Sequence, residues 1–221
     1  MADMHRRTMA LGLTLMGAGG IAAACSSGGD ARAAQTTGDA GRVRPDLYNC
    51  EGCEAVAERD PAGIPARAVL AGPDEPGERM LLEGRVLATD GATPVEGVVI
   101  YAHQTNAEGL YANGGPETVW SRRHGRLRGW ARTGVDGRYA FETIKPGPYP
   151  SMTMPAHIHL FVGEPGRRPY YIDDVVFEGE FGVTPAYRAA SELRGGDGVV
   201  RLTRADGVWL AGHDIRLEPH P

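Results

Sequence analysis

The chain has 221 residues and a formal net charge of -5 at pH 7, from 23 basic and 28 acidic side chains. This acidic balance argues against a nucleic-acid partner, because a surface that follows a phosphate backbone needs a surplus of Lys and Arg. With 42% hydrophobic residues, 32 glycines and 16 prolines, the composition favours a folded, turn-rich all-β protein over a helical one.

Residues 1–24 predict an export signal. Arg6 and Arg7 precede an apolar run from Met9 to Ala24 that is too short and too rich in Gly for a good transmembrane helix. The paired arginines resemble a twin-arginine signal, and the Ala run before Cys25 resembles a lipoprotein cleavage site. We expect an exported, periplasmic or otherwise extracytoplasmic protein with a lipid anchor at Cys25; the alternative is an ordinary signal peptide with Cys25 incidental.

Residues 25–45 predict a flexible tether, because Ser, Gly, Ala, Thr and Asp dominate this stretch. Residues 46–80 follow as an N-terminal segment with one C-x-x-C motif, formed by Cys50 and Cys53. An exported chain without a second cysteine pair favours a local disulfide here over half of a zinc site or a redox centre.

Residues 81–221 predict a β-sandwich, because short apolar runs alternate with Gly-rich turns and no long helical period is present. The run GWARTGVDGRYAFETI places two short strands around Asp136 and Gly137, which predicts a hairpin. One short stretch at 186–193 is the helix candidate. The remaining predicted strands lie in MLLEGRVLA, VVIYAHQT, HIHLFVG, YYIDDVVFEG and GVWLAGHDIRLEP.

Two histidines, His157 and His159, lie one residue apart in the apolar run HIHLFV. Because side chains alternate along a strand, both imidazoles point to the same face, roughly 7 Å apart along the chain. Such a pair can share one metal ion, or it can be two ordinary polar residues at a strand edge.

Two tyrosines supply further candidate donors: Tyr111 ends the turn NAEGLY after a strand, and Tyr149 lies in the turn PGPYP. Two phenols that can ionise and two neutral imidazoles make a hard, anionic ligand set that suits ferric iron. Zinc and copper sites more often use Cys, or His with carboxylate. Without a metal, Tyr149 could simply be an aromatic plug.

A non-enzymatic alternative explains residues 81–149 by themselves. This stretch, with DGRYAF leading to PGPY, resembles the transthyretin-like or carboxypeptidase-regulatory-like β-sandwich module, and turn geometry accounts for its glycines. On this hypothesis the chain is an exported binding or scaffold module.

A more specific resemblance covers residues 80–219. The segments VVIYAHQTNAEGLY, DGRYAFETIKPGPYP and PAHIHLFVGEPG resemble the intradiol ring-cleavage dioxygenases of the catechol and protocatechuate type, a family with a β-sandwich fold. Carried over residue by residue, the resemblance implies a non-heme Fe(III) site with Tyr111 and His157 as equatorial ligands and Tyr149 and His159 as axial ligands.

The resemblance also implies a reaction. A small aromatic diol would bind the iron through both oxygens, and Tyr149 would leave the metal and take up a proton, which makes it the predicted catalytic residue. With O2, the bond between the two hydroxylated carbons would break to give a muconate-type diacid. A homo-oligomer is compatible with this assignment.

Two positions depart from the family pattern. Met154 occupies the place of an Arg that is thought to support negative charge on the substrate, and Asp174 occupies the place of a frequent Gln. A different substrate, a displaced arginine such as Arg122 or Arg123, or reduced activity are the open explanations.

Other polar residues have plainer interpretations. We expect His103 to be a structural or strand-edge histidine, and His213 to be structural. His124, in an arginine-rich loop, is expected to be solvated, although that loop could steer an anionic aromatic acid. We expect Asp173 and Asp174 to be exposed at the surface.

Overall fold

A computed structural model describes residues 42–221, which form two six-stranded mixed sheets packed on each other. The predicted all-β sandwich is confirmed. The first sheet contains β1 (Arg67–Val69), β2 (Arg79–Leu87), β5 (Arg138–Ile144), β10 (Leu202–Ala205), β11 (Val208–Gly212) and β12 (Ile215–Arg216). The second contains β3 (Val99–Gln104), β4 (Arg128–Arg132), β6 (His157–Gly163), β7 (Tyr170–Tyr171), β8 (Val175–Phe177) and β9 (Val199–Val200).

The strand order is β1-β5-β2-β11-β10 in the first sheet, where β12 also pairs with β2. In the second sheet the order is β4-β3-β6-β8-β9, and β7 also pairs with β6. The predicted signal peptide, the lipid anchor and residues 25–41 of the predicted tether lie outside the described residues.

Four short helices accompany the sheets within residues 42–221: the 3₁₀ helices Cys53–Glu58 and Pro61–Gly63, α1 (Val119–His124) and α2 (Pro185–Ala190). The helix predicted at 186–193 corresponds to α2. A threonine precedes each α-helix, Thr118 before α1 and Thr184 before α2. Its side chain accepts a hydrogen bond from a backbone N–H of the first turn. Over the described part of the chain, we find no helix with the length and apolar character needed to cross a membrane.

Alternation along β6 separates the sandwich core from the outer face of the second sheet. Ile158, Leu160 and Val162 are buried between the sheets. The intervening residues point the other way, so His157 and His159 lie on the outer face. The candidate site therefore lies outside the sandwich core.

The N-terminal segment covers part of that outer face. A disulfide joins Cys50 to Cys53, which confirms the predicted local bridge. The following 3₁₀ helix packs against Phe161, and Trp130 Nε1 donates to Ala55 O at 2.9 Å in a buried hydrogen bond. The same segment also contributes to the main core, where Leu47 is fully buried.

The predicted hairpin around Asp136 and Gly137 is wrong. The turn is present, with Gly137 at φ 71°, but β4 pairs with β3 while β5 pairs with β2 and β1. Ala131 of β4 and Phe141 of β5 face each other's sheets across the core. A turn signal marks where the chain changes direction, whereas burial of both apolar faces decides which strands pair.

Candidate metal centre

Three chain segments bring the four predicted donor residues together at one end of the second sheet. His157 and His159 come from the start of β6. Tyr111 comes from the connection that follows β3, and Tyr149 from the connection between β5 and β6. Because β3 and β6 are antiparallel neighbours, the end of β3 lies beside the start of β6.

Contacts between the two tyrosine-bearing connections fix their relative position. Thr105 Oγ1 donates to Gly147 O at 2.7 Å, and Gly147 N donates to Asn106 O at 2.9 Å. Gly109 has φ +80°, and a Cβ there would lie 1.9 Å from Pro148 O, so only glycine fits at this crossing. Glycine at this point lets the two connections approach closely enough for both phenols to reach the same place.

The four donor atoms form a closed ring of contacts. The two phenol oxygens, Tyr111 Oη and Tyr149 Oη, are 3.0 Å apart, and Tyr149 Oη is 3.3 Å from His157 Nε2. His157 Nε2 is 3.0 Å from His159 Nε2, which is 3.0 Å from Tyr111 Oη. Two oxygens and two nitrogens therefore converge on one small space.

These residues fit a single metal ion. Donors held about 2.0–2.2 Å from one ion, with about 90–110° between the bonds, lie about 2.8–3.6 Å apart. All four contacts, from 3.0 to 3.3 Å, fall within that interval. The donor set contains no thiolate, and phenolate is an established ligand type for iron.

Burial sets the protonation of two of the four donors. Burial, followed by the hydrogen bond with Tyr149, raises the pKa of Tyr111, so this phenol stays protonated unless a positive charge lies beside it. Burial lowers the pKa of His157, and the neighbouring His159 adds to the effect, so this imidazole is neutral and its lone pair is available.

The second nitrogen of each histidine ring has a different partner. His157 Nδ1 donates to the backbone carbonyl of Pro155 at 2.7 Å. His159 Nδ1 is 2.8 Å from Oδ1 of Asp174, a side chain that is 23% exposed. Each ring is thereby oriented with Nε2 towards the tyrosines.

The expectation that Asp173 and Asp174 are exposed is wrong. Both are half-buried; Asp173 accepts a hydrogen bond from Ser191 Oγ at 2.6 Å, and Asp174 faces His159. The carboxylate of Asp174 contacts Nδ1 of His159, whereas the other ring nitrogen, Nε2, faces the four-donor ring. This partner could have been found from sequence only with the pairing register of β6 and β8.

A cleft of about 960 Å³ opens beside His159 and Asp174. Much of its wall is apolar and aromatic: Leu160, Phe161, Tyr171, Ile172, Val176, Tyr187, Ala190 and Val199 line it. Glu51 and Arg123 also line this cleft, and they form an exposed ion pair at 2.8 Å. Glu51 lies between the two bridged cysteines, so the N-terminal segment forms part of the cleft wall.

His103 and His124 lie next to the site. For His103 this excludes the strand-edge alternative and agrees with the structural one, whereas the expectation that His124 is solvated is wrong. His103 is buried on β3, which lies between β4 and β6 and is not an edge strand. Its ring is stacked on His124 at 3.9 Å and lies 4.4 Å from the ring of His159. His124 is a buried residue of α1 that hydrogen-bonds Tyr101 Oη at 2.8 Å, and burial lowers its pKa to about 4.

Sequence spacing alone could not show these contacts, because they depend on how α1 packs over β3. His213, by contrast, is buried beyond β11, as a structural histidine would be, and its carbonyl accepts a hydrogen bond from Tyr139 Oη at 2.7 Å.

The position expected to hold an arginine is open to solvent: Met154 is 38% exposed. Two arginines were considered as replacements for the missing family arginine. Arg123 lines the cleft, whereas Arg122 does not. Among the described lining residues Arg123 is the only Lys or Arg, and its side chain is 56% exposed.

The family model described as Dioxygenase matches residues 64–191. A hydroxyquinol 1,2-dioxygenase of Rhizobium sp. (strain MTP-10005) is 32% identical over 208 residues, covering 74% of this chain and 68% of that protein. Catechol 1,2-dioxygenase 1 of Acinetobacter lwoffii is 31% identical over 112 residues, covering 43% of this chain and 35% of that protein. The chain thus spans only about a third of the length of the latter relative.

A solved structure gives the same fold. The dioxygenase domain of a dioxygenase carbohydrate-binding fusion protein from Streptomyces sp. SirexAA-E superposes with a TM-score of 0.52 at 24% identity, covering 70% of this chain and 89% of that one. At this level of identity the likeness concerns the fold.

Proposed function

This chain belongs to the intradiol ring-cleavage dioxygenase family, and we propose on that premise that it uses non-heme Fe(III) and O2 to cleave a catechol-type ring between its two hydroxylated carbons. The product is a muconate-type diacid. The reaction is balanced without a further reductant, because both atoms of O2 enter the product while one ring C–C bond breaks.

The observation that carries this proposal is the convergence of two phenol oxygens and two imidazole nitrogens, with neighbouring contacts of 3.0–3.3 Å. Tyr111, Tyr149, His157 and His159 are the proposed ligands. When bound there, ferric iron acts as a Lewis acid that favours the ionised form of a catechol and as a template for the diol and O2.

Tyr149 is the proposed proton acceptor. It lies in a connection outside the strands, whereas both histidines belong to β6, so it has the greater freedom to move away from the centre. Its phenol oxygen contacts Tyr111 and His157 and is therefore within reach of a diol that takes its place. As a phenolate, Tyr149 accepts one hydroxyl proton of the incoming diol and becomes a neutral phenol.

The cleft beside His159 supplies the place for the aromatic ring. Phe161, Tyr171 and Tyr187 line it with apolar and aromatic surface that can hold a flat ring and exclude water. The transthyretin-like alternative explains the sandwich but gives no reason for four converging donors, one of which, His159, lines such a cleft.

The test is to purify the chain after expression with ample iron and to measure metal content, visible absorption and O2 uptake. We expect about one iron per chain, a phenolate-to-Fe(III) charge-transfer band, and one O2 consumed per catechol. With isotopically labelled O2, mass spectrometry should find both labelled atoms in the diacid. A colourless chain that takes up no O2 with any catechol would overturn the proposal.

Matched variants separate the centre from the rest of the fold. His159→Gln should lose most of the iron, because it removes one of four donors. His213→Asn changes a buried histidine outside the centre and should keep both iron and colour.

A further inference from the structure

The two histidines of the candidate centre are supported by chemically different groups. His157 Nδ1 faces a neutral backbone carbonyl at 2.7 Å, whereas His159 Nδ1 faces the carboxylate of Asp174 at 2.8 Å. Within residues 42–221, the carboxylate of Asp174 forms no hydrogen bond with a side chain other than His159. No Lys or Arg of the same residues forms an ion pair with it. Among these contacts, His159 is its hydrogen-bond partner.

The sheet register fixes this pair. Strands β6 and β8 are antiparallel, with His157 opposite Val176 and Ile158 opposite Val175. Continuing the same register by one residue puts Asp174, immediately before the start of β8, opposite His159. Directly opposed residues of antiparallel strands lie on the same face, so the contact follows from backbone pairing and does not depend on a long, flexible side chain.

The contact determines which nitrogen of His159 carries the proton. An ionised carboxylate only accepts hydrogen bonds, so Nδ1 donates to Asp174 and Nε2 keeps its lone pair. That lone pair points to the space bounded by Tyr111 Oη and His157 Nε2, each 3.0 Å away. A carboxylate behind an imidazole also makes the ring a stronger electron donor than a carbonyl does.

We propose that Asp174 is a positioning residue, which holds His159 as an Nε2 donor and strengthens it as a ligand for a trivalent ion. The inference rests on the proposed iron site and extends it to one further residue. Asp174 is not one of the four proposed ligands; it acts on the metal through His159.

The chain offers a closely matched control. Asp173 is the adjacent carboxylate and is also half-buried, but it accepts from Ser191 and not from an imidazole. Asp174→Asn keeps the size and one acceptor oxygen and removes the charge, while Asp174→Ala removes the acceptor as well. Asp173→Asn makes the same chemical change one residue away.

Three readouts on the iron-loaded chain test the proposal: iron loss to a chelator, the charge-transfer band and the Fe(III)/Fe(II) midpoint potential. We expect Asp174→Ala to weaken iron binding by about 10–100-fold, the range found when the partner of a ligating histidine is removed. If that loss falls on the ferric state, the midpoint potential rises by about 59–118 mV, and Asp174→Asn should show the same direction with a smaller change. Asp173→Asn should match wild type in all three.

A measurement on the iron-free chain tests the proton position without the metal. Nitrogen NMR of the imidazoles, assigned with His159→Gln, should find the Nδ1–H form of His159 in wild type and Asp173→Asn, and a mixture of both forms in Asp174→Ala. The inference would be overturned, and the proposed function left intact, by one result: wild type holds iron, and both Asp174→Asn and Asp174→Ala match it in midpoint potential and in iron loss. Wild type that never binds iron would overturn the proposed function itself.

Discussion

The two tyrosines of the candidate centre should respond differently to the same substitution. Tyr149→Phe removes one donor oxygen and keeps the ring, which packs edge-on against His157 with ring centroids 5.2 Å apart. Four-donor sites hold a structural zinc ion with about 10–16 kcal/mol, so one donor contributes roughly 2.5–4 kcal/mol. We therefore expect iron to bind about 10²–10³-fold more weakly in either Tyr149→Phe or Tyr111→Phe.

The visible spectrum then separates the roles of the two phenols. Each phenolate contributes to the charge-transfer band, so either variant should lose about half of its intensity relative to wild type. Catechol displaces Tyr149 in the proposed mechanism. The catechol complexes of wild type and Tyr149→Phe should therefore have the same absorption spectrum, because in both of them Tyr111 is the one tyrosine that still binds the iron. The catechol complex of Tyr111→Phe should have a different spectrum.

The assay is a catechol titration at saturating iron without O2, followed by O2 addition to measure turnover. Tyr149→Phe should bind catechol and turn it over more slowly, since the proton acceptor is gone. The control is Tyr139→Phe, which removes a buried phenol outside the centre and should leave the spectrum unchanged. If the complex of Tyr111→Phe, and not that of Tyr149→Phe, matched wild type, the assigned roles would be reversed and the reasoning refuted.

Three further results are expected. Burial lowers the pKa of His213 from 6.5 to about 4, so between these pH values the unfolded state binds a proton that the folded state does not. This residue therefore leaves stability unaffected above about pH 6.5 and lowers it as the pH falls towards 4. In urea unfolding, the free energy of unfolding of wild type should fall by about 2 kcal/mol more than that of His213→Asn between pH 7 and pH 5. Replacing Cys50 and Cys53 together by Ser should lower the thermal midpoint modestly and leave iron content unchanged; loss of iron would contradict a purely structural bridge. Arg123→Gln should raise KM about 2–5-fold for a carboxylate-bearing catechol and hardly change it for catechol, because an exposed charge contributes under about 1 kcal/mol; equal effects from Arg122→Gln would contradict this.

The sequence predicted the fold class, which the structure confirms, and four candidate donor residues, whose side chains the structure brings together. Strand alternation placed His157 and His159 on one face, and the motifs PGPYP and PAHIH indicated that two phenols belong with them. These signals are local: a turn favours Gly and Pro, and the side chains of a strand alternate, whatever the rest of the chain does.

The sequence could not predict which strands pair. The turn at Asp136 and Gly137 was recognised, but β4 and β5 belong to different sheets. Because the chain crosses from one sheet to the other at this turn, the apolar faces of both strands are buried in the core between the sheets. Pairing is decided by the total surface buried, and no short window of sequence contains that information.

What the sequence by itself determined is therefore the sandwich; the export-type N-terminus and, through the family resemblance, the four candidate donors are its predictions. Tertiary structure alone decided that these donors converge, that Asp174 faces His159, and that His103 and His124 are buried beside the centre. The physical reason is that each of these contacts joins residues from different segments. Their distances depend on sheet register and on how the covering helices pack, which the chain settles only when the whole core is formed.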